Sequence, residues 1–188
     1  QHASGRNLLF LNPDTEILGS AINIMFSYLE SIPDAGAVGC KLLNADLTLQ
    51  TNSIMPFPTI LNQALDVEYL KLSLPWLNLW GIKPLFNNDS RYEEVEVISG
   101  ACIMVKRKVF EDIKMFSPDY FMYSEELDLC YKVKKAGFKA YYTGEAAIIH
   151  HGGRSVNKTQ IKYFPILMMQ ESLLKFLKIH FSSLRTFR

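Results

Sequence analysis

Three short polar segments of this 188-residue chain carry side chains that could do chemistry. The first is Asn12-Pro13-Asp14, which directly follows a short apolar run. A carboxylate in that place can hold a hard divalent cation, which in turn binds phosphate oxygens. An Asx turn or a helix N-cap explains the same residues, and taken alone Asp14 fits that simpler role better.

The second segment is acidic and runs from Ser124 to Asp128. Glu125, Glu126 and Asp128 fall within one turn at the start of a predicted helix. Crowded like charges raise the pKa of a carboxylate toward the range of a general base. The helix dipole also stabilises acidic groups at this end, so position alone favours a role in helix stability.

The third segment, His150 to Ser155, contains two histidines and Arg154 around a pair of glycines. A histidine at a strand end can ligate a metal, and an arginine can bind a phosphate. A surface turn is the commoner explanation of a single segment of this kind. The chain has no Gly-x-Gly-x-x-Gly or Walker sequence, which disfavours dinucleotide oxidoreductases and P-loop enzymes.

The elements predicted around these segments are those of an α/β fold. Apolar runs predict strands at 7–11 and 37–43, and helical spacing predicts a helix at 16–31 between them. Such a βαβ unit requires a mostly parallel sheet flanked by helices, with ligand sites beyond the carboxyl ends of the strands. Later patterns predict strands at 95–105, 140–142 and 146–149 and helices at 106–113, 125–136 and 165–181.

Residues 52–94 are predicted to be an irregular insertion with one or two short helices near 59–72. Prolines and both tryptophans interrupt any regular period there. An insertion of this length is usually functional, although apolar residues such as Trp76 and Trp80 could equally cover core surface.

The composition excludes several classes of protein. Hydrophobic residues make up 48% of the chain and charged residues 21%, which excludes bulk disorder and a coiled coil. A net charge of +1 offers no broad electrostatic field for nucleic acid. Cys40, Cys102 and Cys130 lack metal-ligand spacing and fit packed thiols in a reducing compartment. No run of about 18 uncharged apolar residues could span a bilayer.

Five motifs together resemble those of the family 2 glycosyltransferases and occur in the same order. They cover about residues 5–156, and the likeness is closest to the rhamnosyltransferase-like and galactofuranosyltransferase-like branch. The motifs are LFLNPD (9–14), GCKLLN (39–44), ISGAC (98–102), FSPDYFMYSEELDLC (116–130) and HHGGRS (150–155). The order of five motifs is much more specific than any single one.

The resemblance implies a GT-A fold and sugar transfer from a nucleotide-diphosphate donor to a polysaccharide or lipid-linked acceptor. It also implies Mg²⁺ or Mn²⁺ as cofactor and inversion at the anomeric carbon. Asp14 matches the last residue of the family's metal-binding Asp-x-Asp motif, and His150 matches a histidine that completes the metal shell in some members. Glu126 matches the catalytic base, with Glu125 beside it. The donor- or acceptor-binding positions implied in the same way are Asn12, Ser99, Gly100, Ala101, Asp128, His151 and Arg154.

Two positions depart from the family pattern. Asn12 stands where the first carboxylate of Asp-x-Asp is usual, so we expect weak metal affinity without the donor diphosphate. Glu126 stands where aspartate is commoner, and its longer side chain moves the base outward.

The resemblance also begins inside the family's domain. We therefore expect the first nucleotide-binding strands to be missing and the nucleotide pocket to be incomplete. An exposed sheet edge would then favour a homo-oligomer. The alternative function is a catalytically incomplete binding or interaction module derived from such a domain.

The resemblance and the tail pattern predict two parts. Residues 1–156 form a partial GT-A domain, and residues 157–188 form an amphipathic helix packed on the domain or on a membrane surface. The expected location is cytoplasmic, with peripheral attachment to the inner face of the cell membrane as an extension of that expectation.

Overall fold

The computed structural model describes residues 3–87, 91–152 and 164–181, which contain eight strands, six α-helices and two short 3-10 helices (Thr51–Ser53 and Lys83–Phe86). The strands are β1 (Asn7–Leu11), β2 (Thr15–Ile17), β3 (Ala35–Leu43), β4 (Ile54–Met55), β5 (Glu93–Val95), β6 (Val97–Ile98), β7 (Cys102–Lys106) and β8 (Lys139–His150). The helices are α1 (Ala21–Ser31), α2 (Ile60–Ala64), α3 (Glu68–Ser73), α4 (Arg107–Asp112), α5 (Glu125–Lys135) and α6 (Phe164–Phe181).

A central sheet has the strand order β1-β7-β3-β8-β2, and β5 also pairs with β8. In the described part of the chain, β3 and β8 are the one adjacent pair that runs parallel. The α/β class is confirmed, but the sheet is mixed rather than mostly parallel. The reason is that β7 lies between β1 and β3 and runs antiparallel to both. Strand order depends on tertiary pairing, which the local pattern of apolar residues does not encode.

Helices cover both faces of this sheet because β3 and β8 are apolar on both sides. On one face, Met25 and Leu29 of α1 pack with Leu42 and neighbouring strand residues. On the other face, α4, α5 and α6 pack together, and Leu129 and Phe176 are fully buried there. The end of the sheet that carries the polar segments therefore lies between two layers of packed helices.

Three predicted boundaries differ from the structure. The helix predicted at 16–31 begins at Ala21, because Thr15–Ile17 pair with the end of β8 as β2. The strand predicted at 95–105 is broken into β5, β6 and β7, with a turn at residues 99–101. The two strands predicted at 140–142 and 146–149 are one strand, β8, with an irregular register opposite Cys40.

The insertion forms two short helices, as predicted, and covers part of the core. Trp80 is buried in a small apolar cluster with Ile54 and Tyr142, and its Nε1 donates to the Leu65 carbonyl oxygen at 3.1 Å. Trp76, by contrast, is 62% exposed. The segment therefore does cover core surface while leaving other aromatic surface in solvent.

The C-terminal helix α6 packs on α5. Leu173 and Leu177 join the core around the buried Phe176, whereas Ile166 is exposed. No helix in the described ranges is long and apolar enough to cross a membrane.

Candidate active site

The turn after β1 places Asn12 and Asp14 beside the end of β8. Because β2 pairs antiparallel with β8, Thr15 lies opposite His150. The His151 N–H donates to the Asp14 carbonyl oxygen at 2.9 Å, and Thr15 Oγ1 donates to the Asn12 carbonyl oxygen at 2.7 Å. The first bond holds the turn against the end of β8, and the second stabilises the turn itself.

Polar side chains from both segments meet at the imidazole of His150. Its Nε2 lies 3.6 Å from Asp14 Oδ1 and 3.4 Å from Asn12 Nδ2. The side chains of His150 and Asp14 are 14% and 22% exposed, so each is partly covered yet accessible. The two candidate metal ligands are therefore neighbours.

Gln50, which no sequence motif singles out, determines which nitrogen of His150 faces Asp14. Gln50 Nε2 donates to Asn44 Oδ1 at 2.8 Å and to the His150 carbonyl oxygen at 2.7 Å. Since both of those partners are acceptors, Gln50 Oε1, 3.1 Å from His150 Nδ1, accepts the ring N–H. The lone pair of the neutral ring then lies on Nε2, the nitrogen nearer Asp14. Only the tertiary structure, which brings the segment after β3 to the end of β8, reveals this role.

Asp14 and His150 could hold a divalent cation between Oδ1 and Nε2. A carboxylate and an imidazole together suit Mn²⁺, and ligating histidines usually donate their other N–H to a polar group, as His150 does to Gln50. Across the described ranges, no group of three His, Cys, Asp or Glu side chains could hold a metal.

The carboxylate of Glu126 lies on the first turn of α5, against the turn at residues 99–101. A Cβ added to Gly100 would lie 3.5 Å from Glu126 Cβ and 3.7 Å from Glu126 Oε2. Glycine at this position leaves the space beside the carboxylate open. Tyr123 and Ser124, immediately before α5, have φ angles of 67° and 66°, so the chain enters the helix through two left-handed residues.

Burial, and to a smaller extent the negative charge of Glu125, raise the pKa of Glu126 to about 7. A backbone hydrogen bond to Glu126 opposes this rise. Glu125 Oε2 is buried, and no residue of the described part of the chain forms a hydrogen bond with it. A carboxylate with a pKa near neutrality is suited to act as a general base at physiological pH.

One backbone hydrogen bond connects the two halves of the site. The Asn12 N–H donates to the Ala101 carbonyl oxygen at 3.0 Å. Ala101 follows Gly100, which faces Glu126. The candidate metal ligands and the candidate base consequently lie at the same end of the central sheet, where β1 and β8 end and β7 begins.

Two of the remaining predicted binding residues are engaged in local contacts. Ser99 Oγ accepts the Ala101 N–H at 3.3 Å and so lies within its own turn. His151 Nε2 lies 2.7 Å from Glu16 Oε1. Arg154 lies outside the described residues.

Asp128 is turned into the protein rather than toward the other site residues. It is 2% exposed, and its Oδ1 lies 2.7 Å from His180 Nε2. Its Oδ2 forms an ion pair with Lys132 Nζ at 2.8 Å. The carboxylate is thus used to connect α5 with α6.

Comparison with known proteins places this site in context. No protein-family model matches the chain. The N-acetylglucosaminyl-diphospho-decaprenol L-rhamnosyltransferase of Mycobacterium tuberculosis is 25% identical over 153 residues, which are 80% of this chain and 48% of that protein. Rhamnosyltransferase WbbL of Escherichia coli is 25% identical over 146 residues, 77% of this chain and 52% of that protein. The chain is similar to glycosyltransferases. The predicted resemblance to the rhamnosyltransferase-like branch is confirmed.

The likeness to glycosyltransferases extends to the fold. The crystal structure of GalNAc-T7 with UDP, GalNAc and Mn²⁺ matches with a TM-score of 0.51 at 10% identity, over 78% of this chain and 27% of that one. At this identity the match shows the fold alone, which is of the GT-A type. The chain spans about half the length of the two rhamnosyltransferases.

Proposed function

We propose that this chain carries the base and the metal ligands of an inverting glycosyltransferase that uses a nucleotide-diphosphate sugar. One observation carries the proposal: the Glu126 carboxylate, whose pKa is raised to about 7, faces a turn that is hydrogen-bonded to Asn12 at 3.0 Å. Two similar proteins are named as rhamnosyltransferases, which supports sugar transfer as the reaction. The decaprenol in one of those names favours a lipid-linked acceptor over a free polysaccharide.

Glu126 is the general base of the proposed reaction. Its ionised carboxylate takes the proton from the acceptor hydroxyl while that oxygen attacks the anomeric carbon of the donor sugar. The bond from the anomeric carbon to the phosphate oxygen breaks, and its electron pair leaves with the nucleoside diphosphate. A single displacement of this kind inverts the configuration at that carbon. Gly100 keeps the side of the carboxylate open to the acceptor.

Asp14 and His150 are the residues that would hold Mg²⁺ or Mn²⁺, whose chemistry there is to neutralise charge on the departing diphosphate. Gln50 keeps the Nε2 lone pair of His150 directed toward that position. Asn12 supplies an amide and no charge, so cation binding should depend on the diphosphate. Asp14 and Glu126 then act on opposite sides of the scissile bond, which a single displacement requires.

The partners of the reaction are the nucleotide-diphosphate sugar and the lipid-linked or glycan acceptor. A lipid-linked acceptor would make peripheral contact with the inner face of the membrane useful, and α6 still has exposed apolar residues such as Leu167 and Leu174. β1 lies at the edge of the described sheet, which supports self-association as a further proposal.

The test is a transfer and donor-hydrolysis assay on the chain with Mn²⁺ and a panel of UDP-, dTDP- and GDP-sugars. Glu126→Gln and Asp14→Ala are expected to lower the rate by at least about 100-fold. Glu171→Gln, a matched change of an exposed glutamate on α6, is the control and should retain the rate. Equal rates in all variants would overturn the catalytic proposal and leave the binding module as the function.

A further inference from the structure

Helix α6 contacts the chain on both sides of the acidic pair at the start of α5. Before the pair, Ser172 Oγ donates to the Met122 carbonyl oxygen at 2.6 Å. After the pair, His180 Nε2 lies 2.7 Å from Asp128 Oδ1. One helix of the tail therefore binds the segments that flank Glu125 and Glu126.

The start of α5 lacks the usual local restraints. Ser124 occupies the N-cap position, but its side chain makes no capping hydrogen bond. Tyr123 and Ser124 are both left-handed, a conformation that non-glycine residues adopt only when the surroundings enforce it. The contacts from α6 are part of those surroundings, because Ser172 holds the residue directly before Tyr123.

The contact between His180 and Asp128 is well defined. Asp128 is 2% exposed, and its second oxygen is paired with Lys132, which also donates to the Met115 carbonyl oxygen at 2.6 Å. The His180 ring packs against Tyr131, with centroids 4.4 Å apart. The ring also packs against the fully buried Phe176, with centroids 4.8 Å apart. A buried carboxylate that lost one of its partners would be costly, so this contact should persist in solution.

We propose that α6 positions the general base, with His180 and Ser172 as positioning residues that keep Glu126 against Gly100. The catalytic meaning of this proposal rests on the proposed function, but the placement of Glu126 itself does not. Asp128, three residues after Glu125, is the residue through which His180 acts on the first turn of α5. Loss of the contact would let that turn move away from Gly100 and admit water to Glu126.

The experiment separates the hydrogen bond from ring packing. His180→Phe keeps an aromatic ring beside Tyr131 and Phe176 but cannot donate to Asp128, whereas His180→Gln keeps a donor. Lys178→Ala, an exposed change on the same helix, is the control. Each variant is assayed for kcat and donor KM, and the titration of the Glu126 carboxyl is followed by carbon NMR with Glu126→Gln as the assignment reference.

We expect His180→Phe to lower kcat by about tenfold while donor KM changes by less than about twofold, because the reacting geometry and not the donor pocket is altered. The Glu126 pKa should fall from about 7 toward its ordinary value, since a displaced side chain is better hydrated. His180→Gln should keep kcat and the Glu126 pKa close to their wild-type values. A purely stabilising role would lower the melting temperature of His180→Phe while leaving the Glu126 titration at the wild-type pH, and that result would overturn the proposal.

Two further outcomes are informative. If the wild type transfers no sugar, the proposed function fails, and the NMR titration still decides whether α6 positions Glu126. If His180→Phe does not fold, Ser172→Ala, which removes the contact to Met122, takes its place. An unchanged Glu126 titration in Ser172→Ala would then count against the proposal, and a lowered pKa would support it.

Discussion

Gly100 faces the carboxylate of Glu126, such that a Cβ at position 100 would stand 3.7 Å from Glu126 Oε2. The distance is an ordinary van der Waals contact, so the protein tolerates a methyl group there without a clash. In the proposed reaction, the methyl group would nevertheless occupy space beside the carboxylate that the acceptor hydroxyl needs. If Glu126 is the base, we therefore expect a side chain at position 100 to affect acceptor access more than folding.

Gly100→Ala should accordingly fold as the wild type does and transfer poorly. We expect the melting temperature to change little and kcat/KM for the acceptor to fall by about tenfold or more, because the methyl group competes with the attacking oxygen. Donor binding, measured by calorimetry with a UDP-sugar and Mn²⁺, should be unaffected. A wild-type kcat/KM for the acceptor in Gly100→Ala would contradict the proposal that the acceptor approaches Glu126 past Gly100.

The activity should depend on the ionisation of Glu126. The general base works only when deprotonated, and its pKa is about 7 because of burial and the neighbouring charge of Glu125. We therefore expect kcat to fall about tenfold per pH unit below about pH 7 and to level off above it. Glu125→Gln, which removes the like charge, should lower the pH below which kcat begins to fall. A pH-independent kcat between about pH 5 and pH 8 would exclude Glu126 as the base.

The same ionisation predicts how stability changes with pH. The pKa of Glu126 is higher in the folded protein, about 7, than the 4.5 of an unperturbed glutamate, so the folded state binds this proton more tightly. The contribution of the protonated Glu126 to the free energy of unfolding is thus complete below about pH 4.5 and is lost as the pH rises through about 7. Glu126→Gln should raise the free energy of unfolding by on the order of 2 kcal/mol at about pH 8 and by little at about pH 4. Urea unfolding at both pH values measures this difference. The control Glu171→Gln should change the free energy of unfolding equally at the two pH values.

The orientation of His150 can be tested through Gln50. Gln50→Leu removes the acceptor of the Nδ1 hydrogen, so the ring is free to rotate or to adopt the other tautomer. We expect the affinity for Mn²⁺ in the presence of UDP to fall by about 10- to 100-fold, measured by calorimetry. Gln170→Leu, at an exposed position on α6, is the matched control. Unchanged Mn²⁺ affinity in Gln50→Leu would show that the hydrogen bond does not orient the ligand.

Local pattern predicts much of this fold, and tertiary pairing explains the rest. α5 and α6 were predictable because their apolar spacing, Gly137 after α5 and Pro165 in the first turn of α6 are local signals. β2 was not, because Thr15–Ile17 form a strand only by pairing with β8. The antiparallel position of β7 between β1 and β3 likewise depends on pairing between distant segments.

The candidate site shows the same division. Asp14, Glu126 and His150 could be proposed because five motifs occur in the order of a known family, although each segment taken alone fits a structural role. Gln50 and His180 could not, because each is an ordinary polar residue whose importance arises from the side chain it contacts. Residues that position others carry little signal in a single sequence.

The turn that faces Glu126 depends in turn on the packing of Gly39. A Cβ at position 39 would lie 2.2 Å from Ile98 Cγ2, and Ile98 directly precedes this turn. Gly39→Ala should therefore destabilise the fold by about 1–3 kcal/mol through overpacking, measured by urea unfolding. Gly144→Ala is the control, since its nearest neighbour would be Tyr142 Oη at 3.7 Å. In an Ile98→Ala background the clashing atom is absent, so the additional cost of Gly39→Ala should largely disappear. An undiminished cost in that background would show that the destabilisation arises from some other contact than the one with Ile98.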